Sequence, residues 1–144
     1  MGRWKEAGQR HMLALQIARE TEDVEEERYQ LSNLAYVAEA EGHHEWAVHY
    51  NRQALYLGLV AGDDAMVANL TLNLGRLLMN NAAQLPQAVL LLEESVHLAP
   101  EDEAIRLLNR LRTRLDRLQE TGYPLAEPIR DLQVYAQSAY EMQQ

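Results

Sequence analysis

The sequence predicts an all-α protein built from helix pairs that stack on one another. Apolar residues recur at intervals of three and four along most of the 144 residues, which is the period of an α-helix, and alternating β-branched runs are missing. A set of small and apolar residues also returns after about 40 positions, and a fixed period of this size is typical of stacked helical units. Together these observations indicate one domain of helical repeats.

Seven helices are expected along the chain. They are placed, in order, at about 2–20, 24–41, 44–61, 64–81, 86–98, 103–120 and 128–142. Residues suited to helix ends stand at the borders between them: the N-cap candidates Asp23 and Asp63, the first-turn prolines Pro86 and Pro128, and the helix-ending glycines Gly42 and Gly62. The linkers are short, and the only looser stretch is 121–127.

The repeat orders these helices into pairs. Positions of the second helix return 40 residues later in the fourth, as Leu34/Leu74, Ala35/Gly75, Ala38/Leu78 and Gly42/Ala82. The first, third and fifth helices share three positions, namely Ala7/Ala47/Ala88, Ala14/Ala54/Ser95 and Ile17/Leu57/Leu98. The chain is therefore predicted to hold a half repeat at 2–20, full repeats at 24–61 and 64–98, and a degenerate terminal repeat at 103–142.

Small residues seven apart lie on one face of a helix, so that a second helix can approach closely there. The pairs of this kind are Ala35 with Gly42, Gly75 with Ala82 and Ala47 with Ala54. The terminal repeat keeps an apolar face, at Leu107, Leu108, Leu111, Leu115 and Leu118. Asp116, however, stands where the preceding repeat has Gly75, which predicts either a loosely packed pair or a terminal unit that faces water.

Two segments carry a Leu-Gly/Ala…Gly/Ala…Ala…Ala…Pro pattern: "NLAYVAEAEGHHEWAVHYNRQALYL" (33–57) and "NLGRLLMNNAAQLPQAVLLLEESVHLAP" (73–100). The pattern resembles the tetratricopeptide repeat family, and the period of about 40 residues is similar to the long repeats of kinesin light chains. The resemblance covers nearly all of the chain. It implies a right-handed α-solenoid in which the first helix of each antiparallel pair lines a concave peptide-binding groove.

The resemblance places a row of polar and aromatic residues in that groove. They are Tyr29, Ser32, Asn33 and Tyr36 on the second helix, Asn69, Asn73, Arg76 and Asn80 on the fourth, and Arg110, Arg114 and Arg117 on the sixth. Asparagine amides can pair with the N–H and C=O groups of a bound peptide without reading its side chains. The alternative interpretation is that these asparagines only occupy helix surfaces or helix ends, with Asn80 and Asn81 nearest to an end.

Four arginines form a row along the sixth helix, opposite its leucines: Arg106, Arg110, Arg114 and Arg117. Such a row is explained either by a solvated charged face or by an anion-binding wall of the groove. Family members that clamp the C-terminal carboxylate of chaperones use positions that match Asn73, Arg110 and Arg114 here. The other two clamp positions hold Ser32 and Tyr36 instead of a lysine and an asparagine. The resemblance therefore argues against that particular clamp and leaves acidic peptides open.

The composition excludes several classes of function. The chain has no cysteine, so disulfides, thiolate metal sites and cysteine nucleophiles are ruled out. A net charge of −9 argues against binding nucleic acid or an anionic membrane. No apolar run reaches the roughly 18 residues that suggest a membrane span. A soluble cytoplasmic protein is expected.

Catalytic and metal sites are not expected, and neither is a cofactor. The segment "HHEWAVH" (43–49) looks like a zinc-protease helix, but His44 and His49 are five residues apart. Two histidines must be four apart to face one metal from a helix. No serine has a neighbouring histidine base, and no glycine-rich phosphate loop is present. A hydrolase is therefore a remote alternative.

The predicted function is to bind a peptide segment of a partner protein. Two alternatives stay open: a regulatory fragment of a longer scaffolding protein, because the chain begins on the second half of a repeat, and a self-association module. Self-association would be indicated if the protein's own C-terminal helix filled the groove. That helix has an apolar stripe at Ile129, Leu132, Ala136, Ala139 and Tyr140. It is expected either to cover the leucines of the sixth helix or to form a homodimer through this surface.

Overall fold

All regular secondary structure in the part of the chain that the structure describes is helical. The computed structural model describes residues 2–142, with side chains at 3–142. Within this range lie seven α-helices, one 3₁₀ helix (Ala82–Gln84) and no strand. The α-helices are α1 (Gly2–Glu20), α2 (Val24–Ala40), α3 (His44–Ala61), α4 (Asp64–Leu78), α5 (Leu85–Leu98), α6 (Asp102–Glu120) and α7 (Leu132–Glu141). The predicted all-α class is confirmed.

Side-chain caps begin α2 and α4 where the sequence places them. The carboxylate of Asp23 accepts a hydrogen bond from the N–H of Glu26 at 3.2 Å, and that of Asp63 accepts one from the N–H of Met66 at 3.1 Å. Pro86 lies in the first turn of α5, where its missing N–H leaves no hydrogen bond unmade. These helix starts are determined by residues next to them in the sequence, so the sequence alone could predict them.

Gly42 lies just past Glu41, the residue that ends α2, and Gly62 follows the last residue of α3. Their φ angles are +79° and +67°, a left-handed conformation that is sterically open mainly to glycine. The predicted helix ends are therefore confirmed at both positions. Gly42 and Ala82 do not extend the small-residue strips of α2 and α4, however, because one lies in a turn and the other in the 3₁₀ helix.

The substitution Asp63→Ala is expected to lower the free energy of unfolding by about 0.5–2 kcal/mol, because it leaves first-turn N–H groups of α4 without their side-chain acceptor. Urea or thermal unfolding followed by circular dichroism measures the loss. Asp64→Ala is the matched control, since Asp64 is the exposed neighbour inside the first turn and does not cap the helix. Equal losses for the two variants would show that charge near the helix terminus, rather than the cap, is responsible.

The described residues divide into two compact units. The first contains α1, α2 and α3 together with α7 from Gln133 onward, and the second runs from Gly62 to Leu132 with α4, α5 and α6. None of the described helices has the length and apolar character needed to cross a lipid bilayer.

In the first unit, α2 packs against both α1 and α3. Turns of three residues join the consecutive helices, so each neighbouring pair is antiparallel. The core between them is apolar and consists mainly of Leu15, Ala18, Leu31, Leu34, Ala35, Ala47, Ala54 and Leu55. The predicted small-residue strip on α3 is confirmed, because Ala47 and Ala54 are both fully buried.

In the second unit, small residues bring α4 and α5 together. A Cβ atom built on Gly75 of α4 would lie 2.8 Å from Cγ of Leu92 on α5, closer than two carbon atoms can pack. The hydroxyl of Ser95 on α5 donates to the carbonyl of Ala68 on α4 at 2.8 Å. Ala88 is fully buried beside them. The close helix contact predicted from the repeat is therefore present in this pair.

The last helix of the second unit, α6, packs against α5 with part of its leucine row. Leu107, Leu108 and Leu111 are buried, whereas Asp116 is exposed. The carboxylate that replaces the glycine of the preceding repeat thus stays in water, and its presence does not conflict with the packing of α6.

The C-terminal helix α7 differs from the prediction in its start and in its neighbours. It begins at Leu132 rather than at Pro128, because the chain before it is held to the second unit: the N–H of Ala126 donates to the carbonyl of Ala83 at 2.8 Å. The helix itself belongs to the first unit, where Ala136 and Ala139 are 0% exposed. A stripe of apolar residues indicates which face is buried but not which helix buries it.

Candidate functional site

The second unit carries most of the residues predicted to bind a peptide. We call this set the polar face: Asn69, Asn73 and Arg76 on α4, Asn80 in the turn after α4, and Arg110, Arg114 and Arg117 on α6. Asn73 and Arg76 are half-buried, and the other members are exposed. The set is therefore accessible to a ligand.

Long side chains bridge α4 and α6 on this face. Arg76 forms an ion pair with Glu103 near the start of α6. Nη1 of Arg114 donates to the carbonyl of Met79, just after the end of α4, at 3.2 Å. Carbonyl groups at a helix C-terminus carry partial negative charge, so they suit a guanidinium. Side chains of α4 and α6 are thus linked at the C-terminal end of α4, one turn from Asn73.

The arginines of the second unit differ in how far their charge is neutralised. Arg76 is paired with Glu103, and Arg112 is paired with Glu93 of α5 at 2.7 Å. Arg110 and Arg117 are exposed, and among residues 3–142 no carboxylate lies within ion-pair distance of either. Charge for an external anion is thus concentrated on α6, and Arg76 contributes less than its position on α4 suggested.

The asparagines fall into two groups. Asn81 caps the 3₁₀ helix, since its side-chain oxygen accepts from the N–H of Ala83 at 3.1 Å, and Asn80 lies in the adjoining turn. Asn80 and Asn81 therefore lie at a helix end, as the alternative interpretation of the sequence predicted. Asn69 and Asn73 lie within α4. Since neither amide is hydrogen-bonded to another described residue, both can pair with a ligand.

The remaining predicted residues lie on α2 of the first unit. Tyr29 and Tyr36 are exposed and Asn33 is half-buried. The ring of Tyr36 contacts that of Trp4 on α1, with 5.7 Å between centroids. These residues form an exposed aromatic surface of the first unit.

The first unit also holds a polar cluster that was not predicted. Glu27, which is 5% exposed, accepts from Nε of Arg19 at 3.1 Å and from the hydroxyl of Tyr140 at 2.7 Å. Nη2 of Arg19 also donates to the side-chain oxygen of Gln53 at 2.7 Å, and Gln53 is 2% exposed. The sequence signal was a carboxylate four residues before Leu31 on an apolar helix face, where a charged group needs a partner.

A second anchor for α7 is formed by Arg52 of α3. Its Nε and Nη2 donate to the carbonyl of Tyr135 at 3.0 and 2.6 Å, and Nη2 also donates to the hydroxyl of Ser138 at 2.7 Å. The guanidinium carbon lies 4.1 Å from the ring centroid of Tyr135, in cation–π contact. Burial raises the pKa of Tyr135, an effect that Arg52 opposes.

We call the surface beneath α7 the helix seat; it is formed by Arg19, Glu27, Arg52, Gln53 and Tyr56. His49 lies nearby on α3, and its pKa is lowered by burial and by the positive charges of Arg52 and Arg19. Its imidazole is therefore neutral at neutral pH and adds no charge to the helix seat.

An open cavity of about 450 Å³ lies elsewhere on the first unit. Its walls are largely apolar and aromatic, with Met12, Val37, Trp46 and Tyr50 among the lining residues. The volume falls within the range of small-ligand clefts. None of the residues predicted to bind a peptide lines this cavity.

Within the described residues, no group of three histidine or acidic side chains is arranged to hold a metal ion. Comparisons of the chain with family models, curated proteins and solved structures give no match. The tetratricopeptide resemblance therefore rests on the repeat pattern of the sequence, and the functional argument rests on the surfaces described above.

Proposed function

We propose that this chain is a peptide-binding module of the tetratricopeptide kind, a solenoid of helix pairs, and that its polar face binds an acidic segment of a partner protein. One observation carries the proposal: long side chains link α6, which has exposed arginines, to the C-terminal end of α4, whose amides have no internal hydrogen bonds. The repeat pattern of the sequence supports the same class of function.

The two kinds of side chain would serve different parts of the ligand. The amides of Asn69 and Asn73 can each donate to a peptide carbonyl and accept from a peptide N–H. Arg110 and Arg117 can form charge-assisted hydrogen bonds with carboxylates, which are stronger than neutral ones. Binding would thus combine backbone recognition along α4 with a preference for acidic side chains or a C-terminal carboxylate along α6.

The net charge of −9 does not contradict an acidic ligand. At physiological ionic strength, charges are screened beyond about 8 Å, so a bound carboxylate interacts mainly with the nearest groups. The nearest charged groups one turn from Arg110 on α6 are Arg106 and Arg114, whereas Arg117 has Arg114 on one side and Asp116 and Glu120 beside it. A local positive surface can therefore bind an anion on an acidic protein, while distant acidic groups slow its approach only at low salt.

The test is a titration of short acidic peptides against the parent and single variants. Arg110→Ala and Arg117→Ala are each expected to weaken binding by about 1.5–3 kcal/mol, because each removes a hydrogen bond to a charged group. Both should also reduce the dependence of affinity on ionic strength. Asn73→Ala is expected to cost about 0.5–1.5 kcal/mol with little salt dependence, since its partner is neutral.

Arg112→Ala is the matched control, because Arg112 lies on the same helix but is paired with Glu93 of α5. The Arg112→Ala variant should bind the peptide with nearly the same affinity as the parent. Should Arg112→Ala weaken binding as much as Arg117→Ala, only the diffuse charge of α6 would be involved. If the parent protein bound no acidic peptide, the proposed function would be wrong.

A further inference from the structure

We propose that the helix seat is a second interaction site, and that its ligand in trans is α7 of a second copy of this chain. In this structure the helix seat holds the chain's own α7. The site lies in the first unit, whereas the polar face lies in the second. The inference therefore does not rest on the proposed peptide binding.

The contacts define the ligand narrowly. At one end Arg52 requires a helix carbonyl and a hydroxyl one turn apart, which Tyr135 and Ser138 supply. At the other end the ring of Tyr140 stacks on Tyr56 at 4.7 Å and its hydroxyl donates to Glu27.

Between these ends Ala136 and Ala139 are fully buried, so only small side chains permit the approach. Tyr135, Ala136, Ala139 and Tyr140 share one helical face. A helix with this pattern fits the helix seat, and the chain itself encodes one.

An empty helix seat would be unfavourable. Without α7, Arg52 loses the carbonyl and hydroxyl that accept its hydrogen bonds, and Glu27 loses the hydroxyl of Tyr140. The apolar ring of Tyr56 would also become exposed to water. Occupancy is thus favoured whether α7 comes from the same chain or from another.

The two forms of occupancy have the same contacts and differ in connectivity. The segment 121–131 joins α6 to α7 and contains no helix, so it is the place where the chain can open for exchange. Because this short segment tethers α7 close to its own helix seat, the chain's own helix is favoured at ordinary concentrations. Occupancy in trans is expected when a chain's own α7 cannot dock.

The experiment mixes two full-length variants, each defective in one partner of the contact. Ala139→Arg places a bulky charge on the buried face of α7, so its own helix cannot dock and its helix seat is open. Arg52→Glu damages the helix seat but leaves α7 intact. Each variant alone is expected to be monomeric in analytical ultracentrifugation and native mass spectrometry. Mixed in equal amounts they should form a heterodimer, with an affinity at least tenfold above the self-association of either.

Val134→Arg is the matched control, because it puts the same side chain on α7 at an exposed position. Its own α7 should stay docked, so mixing it with Arg52→Glu should give no heterodimer. Circular dichroism checks that all variants keep their helical content. If Ala139→Arg loses it, Tyr140→Ala replaces it as the variant with a defective helix.

Two results would overturn the proposal. One is a mixture that stays monomeric although both variants are helical. The other is a heterodimer that forms equally well with Val134→Arg, which would assign dimerisation to another surface.

Discussion

Replacing Gly75 with leucine is expected to destabilise the protein by about 3 kcal/mol or more, at the upper end of the range for overpacked cores. A Cβ atom alone would lie 2.8 Å from Cγ of Leu92, and Leu92 is fully buried, so it has little room to move away. The higher helix propensity of leucine returns only about 1 kcal/mol. Steric conflict between α4 and α5 therefore outweighs the gain in helix propensity, and the substitution is expected to destabilise the protein.

Chemical unfolding of the Gly75→Leu protein measures this loss. Ala65→Leu introduces the same side chain at an exposed position of α4 and should change the stability little. Adding Leu92→Ala to Gly75→Leu should recover part of the loss, because it removes the side chain that clashes. A Gly75→Leu variant that unfolds together with the parent would show that α4 and α5 do not meet at this glycine.

Replacing Arg19 with methionine is expected to cost about 3 kcal/mol, the lower end of the range for breaking a buried ion pair. The side chain of Glu27 is 6% exposed and that of Arg19 26%, so solvent screens the pair only in part. Without Arg19 the carboxylate keeps the hydroxyl of Tyr140 but has no counter-charge, and Gln53 loses its donor. The cost is that of leaving a buried charge uncompensated.

Thermal and urea unfolding of a double-mutant cycle tests this interpretation. The combination of Arg19→Met with Glu27→Leu should recover part of the stability, since neither charge is then left buried. Recovery should be incomplete, because the hydroxyl of Tyr140 and the side-chain oxygen of Gln53 lose a partner. Arg130→Met is the control for an exposed pair, because Arg130 and its partner Glu127 are each 86% exposed. The free energy of unfolding of this control variant should fall by less than about 1 kcal/mol. A double variant as unstable as Arg19→Met would assign the loss to packing rather than to charge.

The sequence predicted the helices well because each is determined by interactions within a few residues. The cap at Asp63 and the left-handed Gly62 act on neighbouring backbone groups, and the apolar period marks the buried face of each helix. Gly75 was assigned to a close contact because the repeat supplied an equivalent position in another pair. Local and repeated patterns thus predict the elements and the packing of helices that follow one another.

The candidate sites were predictable only in part. The positions of Asn73 and Arg117 on helix surfaces follow from the helical period. The pairing of Arg76 with Glu103 does not, because the two residues are 27 positions apart and meet only once α4 and α6 are assembled. Which charge remains available to a ligand depends on such long-range pairs, and a single sequence does not report them.

The sequence by itself determined the all-α class, the order of the helices, most of their ends and the small residues that let α4 and α5 approach. Only the tertiary structure decided where the last helix lies. The stripe of Ala136, Ala139 and Tyr140 is apolar enough to pack on several helices. The apolar pattern of α7 therefore does not predict which helices it packs against. The choice depends on Arg52 and Glu27, whose hydrogen bonds with α7 join residues more than 80 positions apart. Such contacts form only when the chain is folded.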